Sequence, residues 1–418
     1  MTYYLSTAPS TPFLELDSTV SCEICIIGAG YAGLATAAGL VERGMRNIVI
    51  LEAGQVGDGA SGRNGGFVFG GFSLSNQALI AQLGQSKASH LYQLTLDAIE
   101  LIRRRIEKYE IACDKNESGV LLANWFDDDR VLIRHQELMQ KQFNVDWTLW
   151  SREQTREHLR SSRYFGGLHE KNAFHFHPLK YAQGLAATLT AHGVQLFTRS
   201  KALRVDIGNA EKIIHTTRGQ IRAQHVVLCC GGYIENLKPA LSRSVLPVTT
   251  FVMATEPLGE RLYQAVNTPA AVYDTRFAFD YYRALPDTRL LWGGGISVFN
   301  PNQQQIAKKL YRDMLKVYPQ LDGVKVEHAW SGVMSYASHQ MPQIGQLPDG
   351  VWYAMGFGGH GISTTTLAGE VVAQAITTKK PIPSGLEKFG LVSNFGAAGL
   401  LAAQCTYWYY ELRDWWKE

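Results

Sequence analysis

Three glycines and one acid stand where they could hold a pyrophosphate and a ribose. Gly28, Gly30 and Gly33 follow the apolar run Cys22-Glu23-Ile24-Cys25-Ile26-Ile27, and Asn47-Ile48-Val49-Ile50-Leu51 ends on Glu52, 19 residues beyond Gly33. In such a triplet the first glycine makes a tight turn and the second lets backbone N–H groups approach a pyrophosphate. The third lets a helix pack closely on a strand. The phosphates would lie at the N-terminus of the helix opened by Tyr31 and Ala32, where unpaired N–H groups and the macrodipole favour negative charge. Glu52, with Ala53 beside it, would accept the hydrogens of a ribose diol. The pattern points to a dinucleotide and does not by itself separate FAD from NAD.

The elements that would carry these residues are legible in the same way. A helix is predicted from Tyr31 to Arg43, stopped by Gly44. Apolar spacing predicts helix from Asn76 to Ile111 and from Asp127 to Phe143, with a strand at Gly119–Asn124 between them. Pro178 fits the first turn of a helix that Gly193 ends, and strands follow at 194–197 and 223–230. The stretch 245–295 is strand-rich, with Arg276–Leu285 and Arg289–Trp292 flanking a Pro286-Asp287 turn. A helix from Ile362 to about Ile376 and an aromatic tail complete the chain, and residues before Ser21 read as an irregular polar arm. The fold class expected is α/β, a Rossmann-like FAD-binding domain of the glutathione-reductase type interrupted by a mixed-sheet substrate domain. Its expected segments are 1–80, 166–242 and 329–385 for the nucleotide domain, 81–165 and 243–328 for the substrate domain, and 386–418 for the tail.

Composition narrows the function classes. The chain has 418 residues, 46% of them hydrophobic, so about two domains are expected. A formal charge of +3 from 40 basic and 37 acidic side chains gives no reason to invoke nucleic acid. The six cysteines read as reduced core thiols rather than a disulfide framework. Cys22 and Cys25 lie three apart on a strand, so they cannot pinch a metal. His169, His175 and His177 read as satisfied polar residues at a strand–helix junction, and no metal is expected. No secretory signal and no 18-residue apolar stretch are visible, so a cytoplasmic protein is expected.

Four motifs occur in one order: the Gly28–Gly33 turn with Glu52, the loop Gly59-Ala60-Ser61-Gly62-Arg63-Asn64-Gly65-Gly66, the turn Cys230-Gly231-Gly232-Tyr233, and Met341-Pro342-Gln343-Ile344-Gly345 followed by Gly356-Phe357-Gly358-Gly359-His360-Gly361. Together they resemble the D-amino-acid-oxidase-like superfamily of FAD-dependent oxidoreductases. Phe279-Asp280-Tyr281-Tyr282-Arg283, Leu291-Trp292-Gly293-Gly294-Gly295 and the tail from Tyr407 to Trp415 bring it nearest the γ-glutamylputrescine oxidoreductase branch. The resemblance implies FAD, and the absence of a cysteine from Trp330 to Tyr336 implies that it is held non-covalently. Expected cofactor contacts run through the residues already named and through Ala202 and Ile362. Ser61 can bond a phosphate, Asn64 can face the flavin edge, and Gly65-Gly66 let backbone approach the ring. The helix after Gly361 would point its N–H groups at the flavin's pyrimidine end, where reduction places negative charge.

The implied reaction is oxidation of the C–N bond of an amine or amino acid, by hydride transfer to flavin N5 and imine hydrolysis, with O2 as the expected acceptor and hydrogen peroxide as product. A dehydrogenase passing electrons to a quinone or carrier, or a flavin redox sensor, are the alternatives. Aromatic strands would roof the flavin. Tyr281 and Tyr282 alternate in direction, so one faces the pocket, and Tyr282 is the choice. His360 is either a turn residue or a group touching flavin or substrate. His339 stands near the Met-Pro pair where the branch commonly has an arginine. Arg63, Arg283 and His339 are the candidates for a substrate carboxylate. The aromatic tail would dock on its own domain, on another subunit or at a membrane interface.

Overall fold

The computed structural model describes residues 1–9, 12–208, 211–299 and 301–417. Two eight-stranded sheets carry the fold. The first has Thr19–Ile27 at its centre, parallel to Gln220–Leu228 on one side and to Ile48–Leu51 on the other. Gln195–Phe197 and Trp352–Met355 extend it in parallel. Such strands are covered on both faces, which is why Cys25, Ile26, Val49, Ile50 and Val226 are wholly buried. The second sheet is mixed. Its middle is the antiparallel run Val326–Tyr336, Leu246–Thr255, Leu290–Ser297, Asp280–Ala284 and Ala271–Asp274, and Val120–Ala123 then joins Ala271–Asp274 in parallel.

Four helices matter for the site: α1 (Tyr31–Glu42), α2 (Gln303–Val317), α3 (Gly361–Thr378) and α4 (Ala397–Lys417). α1 is buried from Tyr31 to Val41, as the tight Ala-rich sequence requires. The third glycine explains how it sits so low on its strand. A Cβ at Gly33 would lie 1.9 Å from Gly28 O.

Three elements depart from the sequence reading. The amino-terminal arm is not irregular: Tyr3–Thr7 is helical, capped by Thr2, and buries Tyr3 and Tyr4. Two adjacent aromatic rings gain more by packing than a polar arm gains from water. The predicted helix from Asn76 breaks at Gly84, whose φ of +79° separates Asn76–Leu83 from Gln85–Lys108. The first roof strand begins at Asp280 rather than Arg276, because Asp274 accepts from both the backbone N–H and the guanidinium of Arg276 and folds the preceding residues into a turn.

The tail docks on its own domain. Gln404 accepts from Val298 N at 2.9 Å and Asp414 accepts from Phe277 N at 2.8 Å, while Tyr410 stacks on Phe277 at 4.0 Å. Among the described residues no helix is long and apolar enough to cross a membrane.

Candidate active site

One cavity of about 1370 Å³ begins beside Glu52 and ends under α4 at Tyr407. That is larger than a pocket for a small ligand alone, roughly 300–1,000 Å³. At the first end Glu52 is nearly enclosed, and burial raises its carboxyl above the usual range while backbone N–H groups pull it down. Its Oε2 accepts from Ala29 N and its Oε1 from Gly54 N, both at 2.8 Å. Each oxygen keeps a second lone pair, which is what a vicinal diol requires. Gly28, Gly30, Tyr31, Ala32 and Ala53 line this end, and Ala202, Cys230, Gly231 and Gly232 line the wall beyond it. The α1 N-terminus opens into the cavity with no capping side chain from Gly30.

The loop from Gly57 to Gly66 supplies the middle. Ala60, Ser61, Arg63, Asn64 and Gly65 line the cavity. Ser61 Oγ accepts from Tyr31 N at 2.9 Å, so its hydroxyl sits on the helix terminus with its proton free to donate to an anion. Asn64 lines the cavity and also braces its own loop. Its Nδ2 donates to Ala60 O and Ser61 O and its Oδ1 accepts from Gly66 N. Gly66 serves the fold rather than a ligand: its φ is +82° and a Cβ would lie 2.1 Å from Phe176 O.

At the far end Gly358, Gly359, His360, Gly361 and Ile362 line the cavity, and Gly356 stands behind it. His360 occupies the N-cap position of α3 without capping it. Its Nδ1 is bonded to Phe72 O, and burial lowers its pKa. A carbonyl only accepts, so the neutral ring carries its proton on Nδ1 and Nε2 is the acceptor. The two helix N-termini, of α1 and α3, therefore open on one cavity, which Glu52 also lines.

The roof overturns the choice of tyrosine. Tyr282 pairs with Trp292 and is wholly buried, stacked on that indole at 4.5 Å and bonded to Tyr318 OH at 3.0 Å. Tyr281 faces the cavity instead. Gly293 lies opposite it, and a Cβ there would come within 2.1 Å of the phenol ring. That glycine was the available signal: a small residue across the strand marks the side where a ring needs room. Phe67, Phe69, Tyr273, Phe277, Phe279, Tyr336 and Tyr407 complete the wall, none of them singled out from sequence for this role except as part of the roof strand or the tail. Phe69 stacks on Tyr273 at 5.7 Å and Phe67 meets Tyr281 edge-on at 5.5 Å.

Two carboxylate candidates are withdrawn by their contacts. Arg283 is buried and donates to Gly65 O and Phe176 O, holding the loop to the roof. His339 does not line the cavity. Its Nε2 bonds Gly390 O and its Nδ1 accepts from Met341 N, so it is a turn residue rather than a catalytic one. Arg63 does line the cavity and donates to Asp58 O at 2.7 Å. A further cation, Arg276, is spent on Asp274 at 2.6 Å and Asp280 at 2.7 Å. The three histidines have separate partners: His169 meets Ser118 O, His175 meets Pro269 O, and His177 accepts from Lys180 N at the head of its helix.

Residues 23–375 match the family described as DAO, FAD dependent oxidoreductase. The chain belongs to the DAO family of FAD-dependent oxidoreductases. Its cofactor is FAD, and the nearly enclosed Glu52 and the paired helix termini fit that elongated dinucleotide. It is 34% identical to the probable oxidoreductase OrdL of Haemophilus influenzae, over 99% of this chain and 96% of that protein. It is 31% identical to the γ-glutamylputrescine oxidoreductase of Escherichia coli K12, over 90% of this chain and 88% of that protein. The fold is shared with glycine oxidase of Geobacillus kaustophilus, at a TM-score of 0.76 and 20% identity, covering 89% of this chain and 99% of that one. At the level of the family, this is a flavoenzyme acting on amine or amino-acid substrates.

Proposed function

We propose that the chain oxidises the C–N bond of a primary amine whose reacting carbon carries no carboxylate, such as an acylated diamine of the γ-glutamylputrescine kind, on non-covalently held FAD. The observation that carries this reading is the charge at the far end of the cavity. Arg276 is neutralised by two aspartates, Arg283 is sealed behind the wall, and Arg63 is engaged by the carbonyls of Asp58 and Ser331. An α-carboxylate seated among Phe67, Phe69, Tyr273 and Tyr281 would go unpaired, at a cost of several kcal/mol. The reacting end of a primary amine has no such charge to satisfy.

When bound, FAD supplies the two-electron acceptor, and O2 is the proposed terminal oxidant, giving hydrogen peroxide. The chain's own residues prepare the amine. The aromatic wall disfavours the ammonium form. His360 Nε2, an unprotonated acceptor at that wall, is placed to accept a hydrogen bond from the neutral amine, whose proton leaves to water before it enters. The first-turn amides of α3 favour an anion beside them. Water then hydrolyses the imine product to an aldehyde and ammonia.

An anaerobic spectral screen tests this with diamines, acylated polyamines, N-methyl amino acids and D-amino acids. Bleaching of the yellow protein by the amines alone is expected. Bleaching by amino acids with the amines inert would overturn the carboxylate-free reading, and a protein bleached by nothing would be a redox sensor. Admitting air afterwards separates two acceptors. Prompt recolouring with peroxide marks an oxidase, whereas slow recolouring marks a dehydrogenase serving a quinone or carrier.

A further inference from the structure

The C-terminal helix α4 shows three different faces. Asp414, Gln404 and Tyr407 dock it on the protein, and Ala402, Ala403 and Thr406 look into the cavity. The third face is open. At 100° per residue, Leu401, Trp408, Tyr409, Leu412, Trp415 and Trp416 fall within an arc of about 120°. All six are exposed, Trp415 at 68% and Trp416 at 84%, and no charged side chain interrupts the arc. The stripe lies outside the residues matched to the family, which end at 375.

The edge of this face is basic. Lys308, Arg312 and Lys316 recur every fourth residue along α2 and are all exposed. Lys316, which pairs with Asp313 at 3.4 Å, and Trp415 line one small cleft of about 120 Å³, so the row meets the aromatic face at its Lys316 end. Among the described residues Lys308 and Arg312 have no ion pair. Lys417 adds positive charge on α4 itself, while Arg413 faces Asp414 and Glu411 faces Lys309, each at 3.9 Å.

We propose that this face seats the protein on the surface of an anionic lipid bilayer, with α4 lying in the interface. Tryptophan and tyrosine rings with one apolar side and one polar tip are suited to headgroup depth. An amphipathic helix with a Trp/Leu face flanked by cations binds there by apolar burial together with attraction to anionic lipid. A second copy of the chain fits less well, since a twofold contact on this face would bring two basic rims together. The contact is peripheral, because the helix is not apolar enough to cross. It does not depend on which substrate the cavity takes.

Co-sedimentation of the FAD-loaded full chain with vesicles tests the proposal. Binding to phosphatidylcholine–phosphatidylglycerol vesicles is expected, with little to phosphatidylcholine alone and a fall as salt rises. Trp415→Ser with Trp416→Ser should weaken binding by at least about tenfold. Lys308→Gln and Arg312→Gln should each weaken it by about fivefold. Retained yellow colour and far-ultraviolet circular dichroism show that the variants fold. The proposal is overturned if the parent protein stays in the supernatant with both vesicles, or if the variants bind as well as the parent. It is equally overturned if the tryptophan variant converts a dimer to a monomer in sedimentation without vesicles, which would make a second copy the occupant.

Discussion

Replacing Glu52 by Gln isolates the contact to the ribose. In the parent both carboxylate oxygens accept backbone N–H groups at 2.8 Å, from Ala29 and Gly54. A glutamine offers one oxygen and one NH2, so whichever way it turns, one of these N–H groups faces a donor. That loss costs about 1–3 kcal/mol but is present with or without ligand, so it appears in stability rather than affinity. What FAD loses is the charge-assisted bond from its diol, worth about 1.5–3 kcal/mol. The dissociation constant should therefore rise by roughly 10-fold to 150-fold. Titrating deflavinated protein with FAD, followed by flavin fluorescence, measures it, and FMN serves as the control because it lacks the adenosine. FAD weakened with FMN unaffected is the expected pattern. A FAD constant within about threefold of the parent would mean that Glu52 never meets the ribose, and an equal loss of both flavins would mean that the mutation damages the whole cavity. Burial raises the Glu52 carboxyl, and only its anion is a full acceptor, so FAD affinity in the parent should fall on acidification.

Two neighbouring tyrosines should behave differently. Tyr281→Leu removes a ring from the cavity wall and should raise KM for the best amine by about threefold to tenfold. Tyr282→Phe removes a buried hydroxyl bonded to Tyr318 and should cost about 1 kcal/mol of stability with KM unchanged. Steady-state kinetics and thermal melts on both variants check the pair, and the reverse assignment of effects would refute the placement. Glu170 gives a pH prediction. Its carboxyl is buried and pushed up to about 8 by desolvation, against an ordinary value of 4.5. Between those values the unfolded chain is ionised while the folded protein stays protonated, so stability falls as pH rises through this window, by about 5 kcal/mol in all. Glu170→Gln mimics the protonated form. It should melt with the parent at pH 5 and well above it at pH 9, and a constant difference between the two melting temperatures across that range would contradict the burial argument.

What the sequence reveals about this protein is local. A glycine triplet, an acid at the end of the next strand and a glycine-opened helix each have a chemistry set within a few residues, because backbone conformation and helix-end polarity are near-neighbour properties. Glu52, the Ser61 loop and the α3 turn were legible for that reason, and all three line the cavity. Side-chain direction was not legible wherever it depends on pairing between distant segments. Tyr281 rather than Tyr282 faces the cavity because the strand pairs Tyr282 with Trp292 and Tyr281 with Gly293, and a slip of one residue would exchange them. The fate of charge was likewise a tertiary matter. Arg283 and Arg276 look alike as letters, yet one is consumed by carbonyls of Gly65 and Phe176 and the other by two aspartates. Composition could mark the tail as aromatic. Only the packing of Asp414, Gln404 and Tyr407 against the roof sheet decided which of its rings turn inward and which remain in water, since a helix has no inside until something is placed beside it.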